Sequence, residues 1–142
     1  MTSAYSLFKT SSDLEKKGVK LEYTEDMYFI IARAGGENKE YSRVLESLLR
    51  PYESQVRSGI MPNELAEKLF KEVYARSIVK NWGSKKYGEG KIEGENGKEF
   101  SFSVENCIKL FNDLPLLFQE IKDFSENFKN YKYFELEKDL KN

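Results

Sequence analysis

A mainly helical domain with a small N-terminal β-hairpin, an α+β chain of four to five amphipathic helices packed as a small bundle, is the fold class this sequence predicts. Two observations carry it. Apolar residues recur at spacings of three and four through most of the chain, which lays stripes along helices. Only the stretch from Val19 to Ala34 has the alternation and the continuous apolar run of paired strands. At 142 residues the chain is one domain, long enough to bury a modest core.

Residues 1–17, rich in Ser and Thr, read as a flexible N-terminal arm, and a single globular domain follows over 18–131. Val19, Leu21 and Tyr23 alternate with Lys20 and Glu22, the pattern of a half-exposed strand. After the polar turn Thr24-Glu25-Asp26, the run Met27 to Ala34 is broken only by Arg33 and suits a strand covered on both faces. This hairpin, 18–34, must lie on something apolar, because two strands alone are barely stable. The helices provide that surface.

Gly35-Gly36 ends the strand, and a helix over 38–57 follows. Tyr41, Val44, Leu45, Leu48, Leu49, Tyr52 and Val56 share one face of it, with Arg43, Glu46, Arg50 and Glu53 opposite. Pro51 either kinks this helix or ends it near Arg50; the stripe keeps its phase through Val56, which favours a kink. Ser58-Gly59 is the stop. Pro62 opens a second helix, 62–81, with Leu65, Ala66, Leu69, Phe70, Val73 and Tyr74 on its stripe and Ile78, Val79 and Trp82 extending it.

Residues 83–102 read as a mobile loop, with the option of a hairpin turned at Asn96-Gly97 between Lys91-Ile92-Glu93 and Glu99-Phe100-Ser101-Phe102. Helices fill 103–131. Ser103 is an N-cap ahead of Val104, Cys107, Ile108 and Phe111; Pro115 then starts a helix in which Leu114, Leu117, Ile121, Phe124, Phe128 and Tyr131 form a heptad-like seam. Residues 132–142 are a charged helical tail.

Composition excludes several kinds of function. Positive and negative side chains nearly cancel at a net charge of −1, so no concentrated basic face points to nucleic acid. The chain has no histidine and a single cysteine, Cys107, which removes the usual general base, an internal disulfide and Cys/His zinc sites. No signal peptide and no membrane span are legible, so a soluble cytoplasmic protein without cofactor or metal, and without membrane contact, is expected. The carboxylates Glu25, Asp26, Glu93, Glu95 and Glu99 alternate with lysines on faces that read as wet, unlike a converging acid/base pair. Gly35-Gly36, between strand and helix, lacks the spacing of a dinucleotide or P-loop motif and reads as a tight turn. Cys107, on an apolar helical face, reads as a buried hydrophobe. No catalytic residue is proposed.

Two features remain. Arg33 is a charge inside an apolar strand; a structural ion pair with a helix carboxylate such as Glu37 or Glu40 is one account, and a partner contact the other. The C-terminal region is rich in aromatic side chains, with Phe118, Phe124, Phe128, Tyr131, Tyr133 and Phe134 spread over more than one helical face. Large apolar residues beyond what a core absorbs mark a partner surface. The candidate partner-binding residues are therefore Phe124, Phe128, Tyr131, Tyr133, Phe134, Leu136 and Leu140, together with Arg33; the core remains the competing destination, most of all for Phe124 and Phe128.

The string I-A-R-A-G-x-x-N-K from Ile31 to Lys39, the L-x-P-Y at Leu49 to Tyr52, the F-S-x-E-N at Phe102 to Asn106 and the D-L-P-x-L-F at Asp113 to Phe118 resemble the small tail assembly chaperones of long-tailed bacteriophages. The resemblance covers roughly Gly18 to Lys141, and Ile30 departs from it, standing where the pattern carries a polar residue. It implies a non-enzymatic factor that binds the tape measure protein and keeps it soluble in the host cytoplasm during tail morphogenesis, absent from the mature virion. The tail tube protein is a second expected partner, and self-association a further one. A frameshifted longer product is common in that family. The alternative is a structural virion component, a tail-completion or tail-tube-associated protein.

Overall fold

The structure, a computed structural model, describes residues 3–24 and 26–133. Its centre is a four-stranded antiparallel sheet, which corrects the expectation of a mainly α bundle: the protein is a mixed α+β fold. The sheet order is β1 (Val19–Tyr23), β2 (Met27–Ile31), β3 (Val79–Ser84) and β4 (Gly88–Glu89). The predicted hairpin forms, with Val19 opposite Ile31 and Tyr23 opposite Met27. It does not merely rest on helices. Its second strand is interior, because β3 pairs along its other side.

The third strand comes from residues read as a helix. The preceding helix ends at Ser77 with Ile78 as its C-cap, and Val79 and Trp82 then belong to the strand rather than to a helical stripe. A short apolar run has no period of its own; Val79 and Trp82 satisfy a strand's alternation broken by a bulge as well as they continue a helix. Long-range pairing with β2 decides it. The bulge falls between Ile30 and Ile31, which face Asn81 and Val79 and leave Lys80 over.

The N-terminal region is not a loose arm. Ser3 caps α1 (Ala4–Phe8) and Ser11 caps α2 (Ser12–Lys17), whose Ser11 and Glu15 are buried. After β2, Asn38 begins α3 (Lys39–Leu49), and its amide donates to the Arg33 carbonyl at 2.9 Å and the Ser77 carbonyl at 3.1 Å. A 3-10 turn, Arg50–Tyr52, takes up Pro51 before α4 (Glu53–Ser58), which Gly59 closes at φ 68°. Helix α5 spans Asn63–Ser77.

The segment 83–102, expected as a mobile loop, carries strands. Besides β4 it holds β5 (Lys91–Glu93) and β6 (Glu99–Ser101), paired with Ile92 opposite Phe100 around the Asn96-Gly97 turn. What anchors them is aromatic: Phe100 stacks on Trp82 at 5.6 Å, and the Trp82 indole N–H donates to the Phe100 carbonyl at 3.1 Å. Ser103 caps α6 (Val104–Asp113) by accepting from the Asn106 N–H at 3.0 Å, and Pro115 opens α7 (Pro115–Glu126). A second 3-10 turn, Phe128–Tyr131, follows. The core lies between the inner face of the sheet and helices α5, α6 and α7, where Phe29, Ile31, Tyr74, Ile78, Trp82, Phe111 and Ile121 are almost wholly buried.

Candidate protein-interaction surfaces

The polar groups that could suggest chemistry are occupied with each other. Glu93, Glu95 and Glu99 do not converge: each faces a lysine, Lys86 at 3.1 Å, Lys109 at 4.0 Å and Lys91 at 3.4 Å respectively. Among the described residues no group of three His, Cys, Asp or Glu side chains is placed to hold a metal ion. Cys107 is buried in the core, and burial pushes its thiol well above the usual range. Gly36 serves close packing instead of a phosphate: a Cβ there would strike the Glu15 carboxylate and the Arg33 guanidinium.

Those two side chains settle Arg33. It pairs with Glu15 of α2, not with Glu37 or Glu40. The pair sits in a clamp between the chain's two ends. Thr10 bridges Lys132 in antiparallel fashion, the Ser11 N–H donates to the Tyr131 carbonyl at 2.7 Å, and the Tyr133 N–H donates to the Lys9 carbonyl at 3.0 Å.

The clamp distributes the C-terminal aromatics. Tyr131 is fully buried, its hydroxyl donating to the Ile31 carbonyl at 3.1 Å, and burial raises its phenol. Phe124 is half-buried against the core, edge-on to Tyr131 at 6.2 Å. Phe128 stacks on Phe8 at 5.7 Å, and Tyr133 is 41% exposed beneath the Lys9 ammonium. Phe134, Leu136 and Leu140 lie outside the described residues. Phe8 and Glu15, which meet these residues, are absent from the sequence reading. Their signal was the run Ser11-Ser12-Asp13-Leu14-Glu15, a cap followed by an acidic first turn.

A second open surface lies on helices α3, α4 and α5. Helix α3 is strongly two-faced, yet none of its residues is buried, nor is any in the 3-10 turn or α4. On α5 the buried residues Val73, Tyr74, Ala75 and Ser77 all fall in the C-terminal half, while Leu65, Ala66 and Leu69 stay half-exposed. The apolar stripe of α3 is half-buried against α5, with Tyr41 edge-on to Tyr74, so this helical corner keeps an apolar face that the domain covers only in part. Leu45, Leu49 and Val56 floor a groove of about 470 Å³, rimmed by Glu46, Arg50 and Glu53. Ile60, just beyond α4, is 69% exposed.

Fold and surface together define a small α+β protein whose open features are a partly apolar groove and exposed aromatic edges. Comparison with known families carries this further. The family described as YdaY prophage protein matches residues 36–142, well over half of the chain, and the chain belongs to that family. That description gives a prophage origin and no activity. No curated protein and no solved structure matches the chain. Among the described residues, no helix is long and apolar enough to cross a membrane.

Proposed function

We propose that this prophage protein is a non-enzymatic assembly factor, a tail assembly chaperone that binds apolar helical segments of the tape measure protein encoded with it. The observation that carries the reading is the helical corner of α3, α4 and α5. A helix whose apolar stripe is only half-buried after folding, with no residue fully enclosed, is suited to a further partner. The groove over Leu45, Leu49 and Val56, about 470 Å³ in volume, offers an apolar floor to side chains at i, i+3 and i+4 of a client helix. Its rim, where Arg50 stands 3.9 Å from Glu46 and Arg57 2.7 Å from Glu53, is charged but balanced, as suits a client met in many sequence contexts. The groove also falls within the stretch that the family match covers.

The test is co-expression with the tape measure protein of the same prophage. Wild-type chain should keep the client soluble, and Val56→Glu with Ile60→Glu, both at exposed positions, should lose that effect while circular dichroism and melting temperature stay near wild type. A double variant that still solubilises the client overturns the placement. Recovery of the chain in purified virions at stoichiometric amounts would favour the other reading, a structural component of the particle.

A further inference from the structure

We propose that two copies of this chain pair through the outer edge of β1, antiparallel and centred on Leu21, to form one sheet continuous across both. Strand β1 is a sheet edge five residues long, whereas the opposite edge, β4, has only two. The direction of its backbone groups follows from its neighbours. The Ala32 N–H donates to Ile78 on the β3 side of β2 at 2.8 Å, and the next residue, Arg33, donates to Glu15 on the β1 side at 3.0 Å. Alternation then turns Met27, Phe29 and Ile31 toward β1 and their partners Val19, Leu21 and Tyr23 toward β2. Lys20 and Glu22 are left with their N–H and C=O groups directed outward, and among the described residues neither is bonded outside the ladder. A row of such groups is a template for another strand.

The side chains select the occupant and the register. Only registers that oppose outward-facing residues exchange hydrogen bonds, so the symmetric choices centre on Lys20, Leu21 or Glu22. Centring on Lys20 or Glu22 opposes like charges. Centring on Leu21 opposes Lys20 to Glu22 of the second copy, and does so twice by symmetry. On the inner face the same register sets Leu21 against Leu21 and Val19 against Tyr23, all half-buried residues at the margin of the core.

The test is sedimentation equilibrium of the full chain with charge reversals. Wild type should be a concentration-dependent dimer. Lys20→Glu and Glu22→Lys should each weaken it by about tenfold or more, since each replaces two opposite-charge cross-strand pairs with two like-charge pairs. The combined Lys20→Glu/Glu22→Lys variant should restore the dimer to within about threefold of wild type, the pairs being re-formed with their signs exchanged. Amide exchange at Lys20 and Glu22 should slow with concentration, while Leu21, already bonded to β2, stays unchanged. A wild-type monomer at the highest soluble concentration overturns the proposal, as does a combined variant no better than the single ones. A dimer in which Lys20 and Glu22 exchange freely also overturns it. None of these readouts involves a client, so the proposal stands or falls apart from the chaperone reading.

Discussion

Replacing Arg33 with alanine probes how the N-terminal helices are held. The Glu15 carboxylate is 2% exposed and has two donors, the Arg33 guanidinium and the Thr10 hydroxyl, the latter at 3.2 Å. Alanine leaves an ionised group inside the protein with one neutral donor. Removing one member of a buried ion pair costs about 3–5 kcal/mol. Arg33 is itself 24% exposed, so water enters the vacated space and solvates part of the charge; about 2–3 kcal/mol remains.

The arm has a second escape, which is to detach and carry Glu15 into solvent. Against that stand the Phe8–Phe128 stack and the backbone bonds at Ser11, Arg33 and Tyr133, each bond worth about 1 kcal/mol net. The loss is therefore capped by the free energy of local opening. Two probes separate the routes. Trp82, fully buried and the only tryptophan, reports core unfolding in urea by fluorescence. Amide exchange at Ser11, Arg33 and Tyr133 reports the clamp, and should speed up by roughly 30- to 150-fold for that free energy. Glu15→Met/Arg33→Met, which removes both charges and keeps the volume, should return to within about 1 kcal/mol of wild type. If Arg33→Ala costs under about 1 kcal/mol and leaves those amides as slow as before, the pair is not an interior one and the reasoning fails.

Three further outcomes follow from single positions. A thiol reagent at neutral pH should modify native Cys107 only as fast as the protein unfolds, because burial both shields the sulfur and holds it as the thiol; immediate stoichiometric labelling would contradict this. Gly83→Ala should lower stability by about 1–2 kcal/mol, read as a melting-temperature drop, because its Cβ would strike the Tyr28 ring lying across it from β2. Ser103→Ala should cost about 1 kcal/mol by leaving the Asn106 N–H without its acceptor.

Many local signals in the sequence were legible. The Gly59 stop, the Ser103 cap, Pro115 in a first turn and the 18–34 hairpin all depend on neighbours a few residues away, and the structure carries each of them. Most of what failed depended on distance. Nothing in Ile78 to Trp82 announces a strand, because its reason to be one is β2, far back in the chain. The glycines of 83–102 suggested mobility, yet Phe100 and Phe102 close on Trp82, which lies outside the segment, and that contact fixes the strands. Arg33 was legible as an anomaly needing a partner, but not which partner. Glu15 lies in a stretch whose Ser and Thr suggested looseness, and those same residues are the caps that order it. For the partner surface, aromatic content drew attention to the C-terminus, where Tyr131 turns out to be core. The stripe of α3 was in plain view, and only how little of it the domain encloses could not be read.

The family match begins at Gly36, after the hairpin, which makes the fragment 36–142 a direct test of how the fold is held. Cutting there removes β1 and β2 and leaves β3 paired only with the two residues of β4. It deletes Phe29 and Ile31, both fully buried, worth about 1.5–3 kcal/mol each by transfer alone. It also strips the inner neighbours of Trp82, which Phe29 meets edge-on at 6.0 Å, and removes the Ile31 carbonyl that accepts from the buried Tyr131 hydroxyl. An orphaned buried hydroxyl adds about 1–3 kcal/mol, and the exposed faces of Trp82 and Ile78 add more. The sum reaches the whole stability of a typical domain, about 5–15 kcal/mol. The fragment should therefore be helical but without a cooperative urea transition, its Trp82 emission already shifted toward that of solvent. A chain limited to the matched stretch would need some other strand against β3 to fold. A fragment that unfolds cooperatively as a monomer, with Trp82 still buried, would show that α5, α6 and α7 suffice as a core and would refute the central place of β2 in the fold.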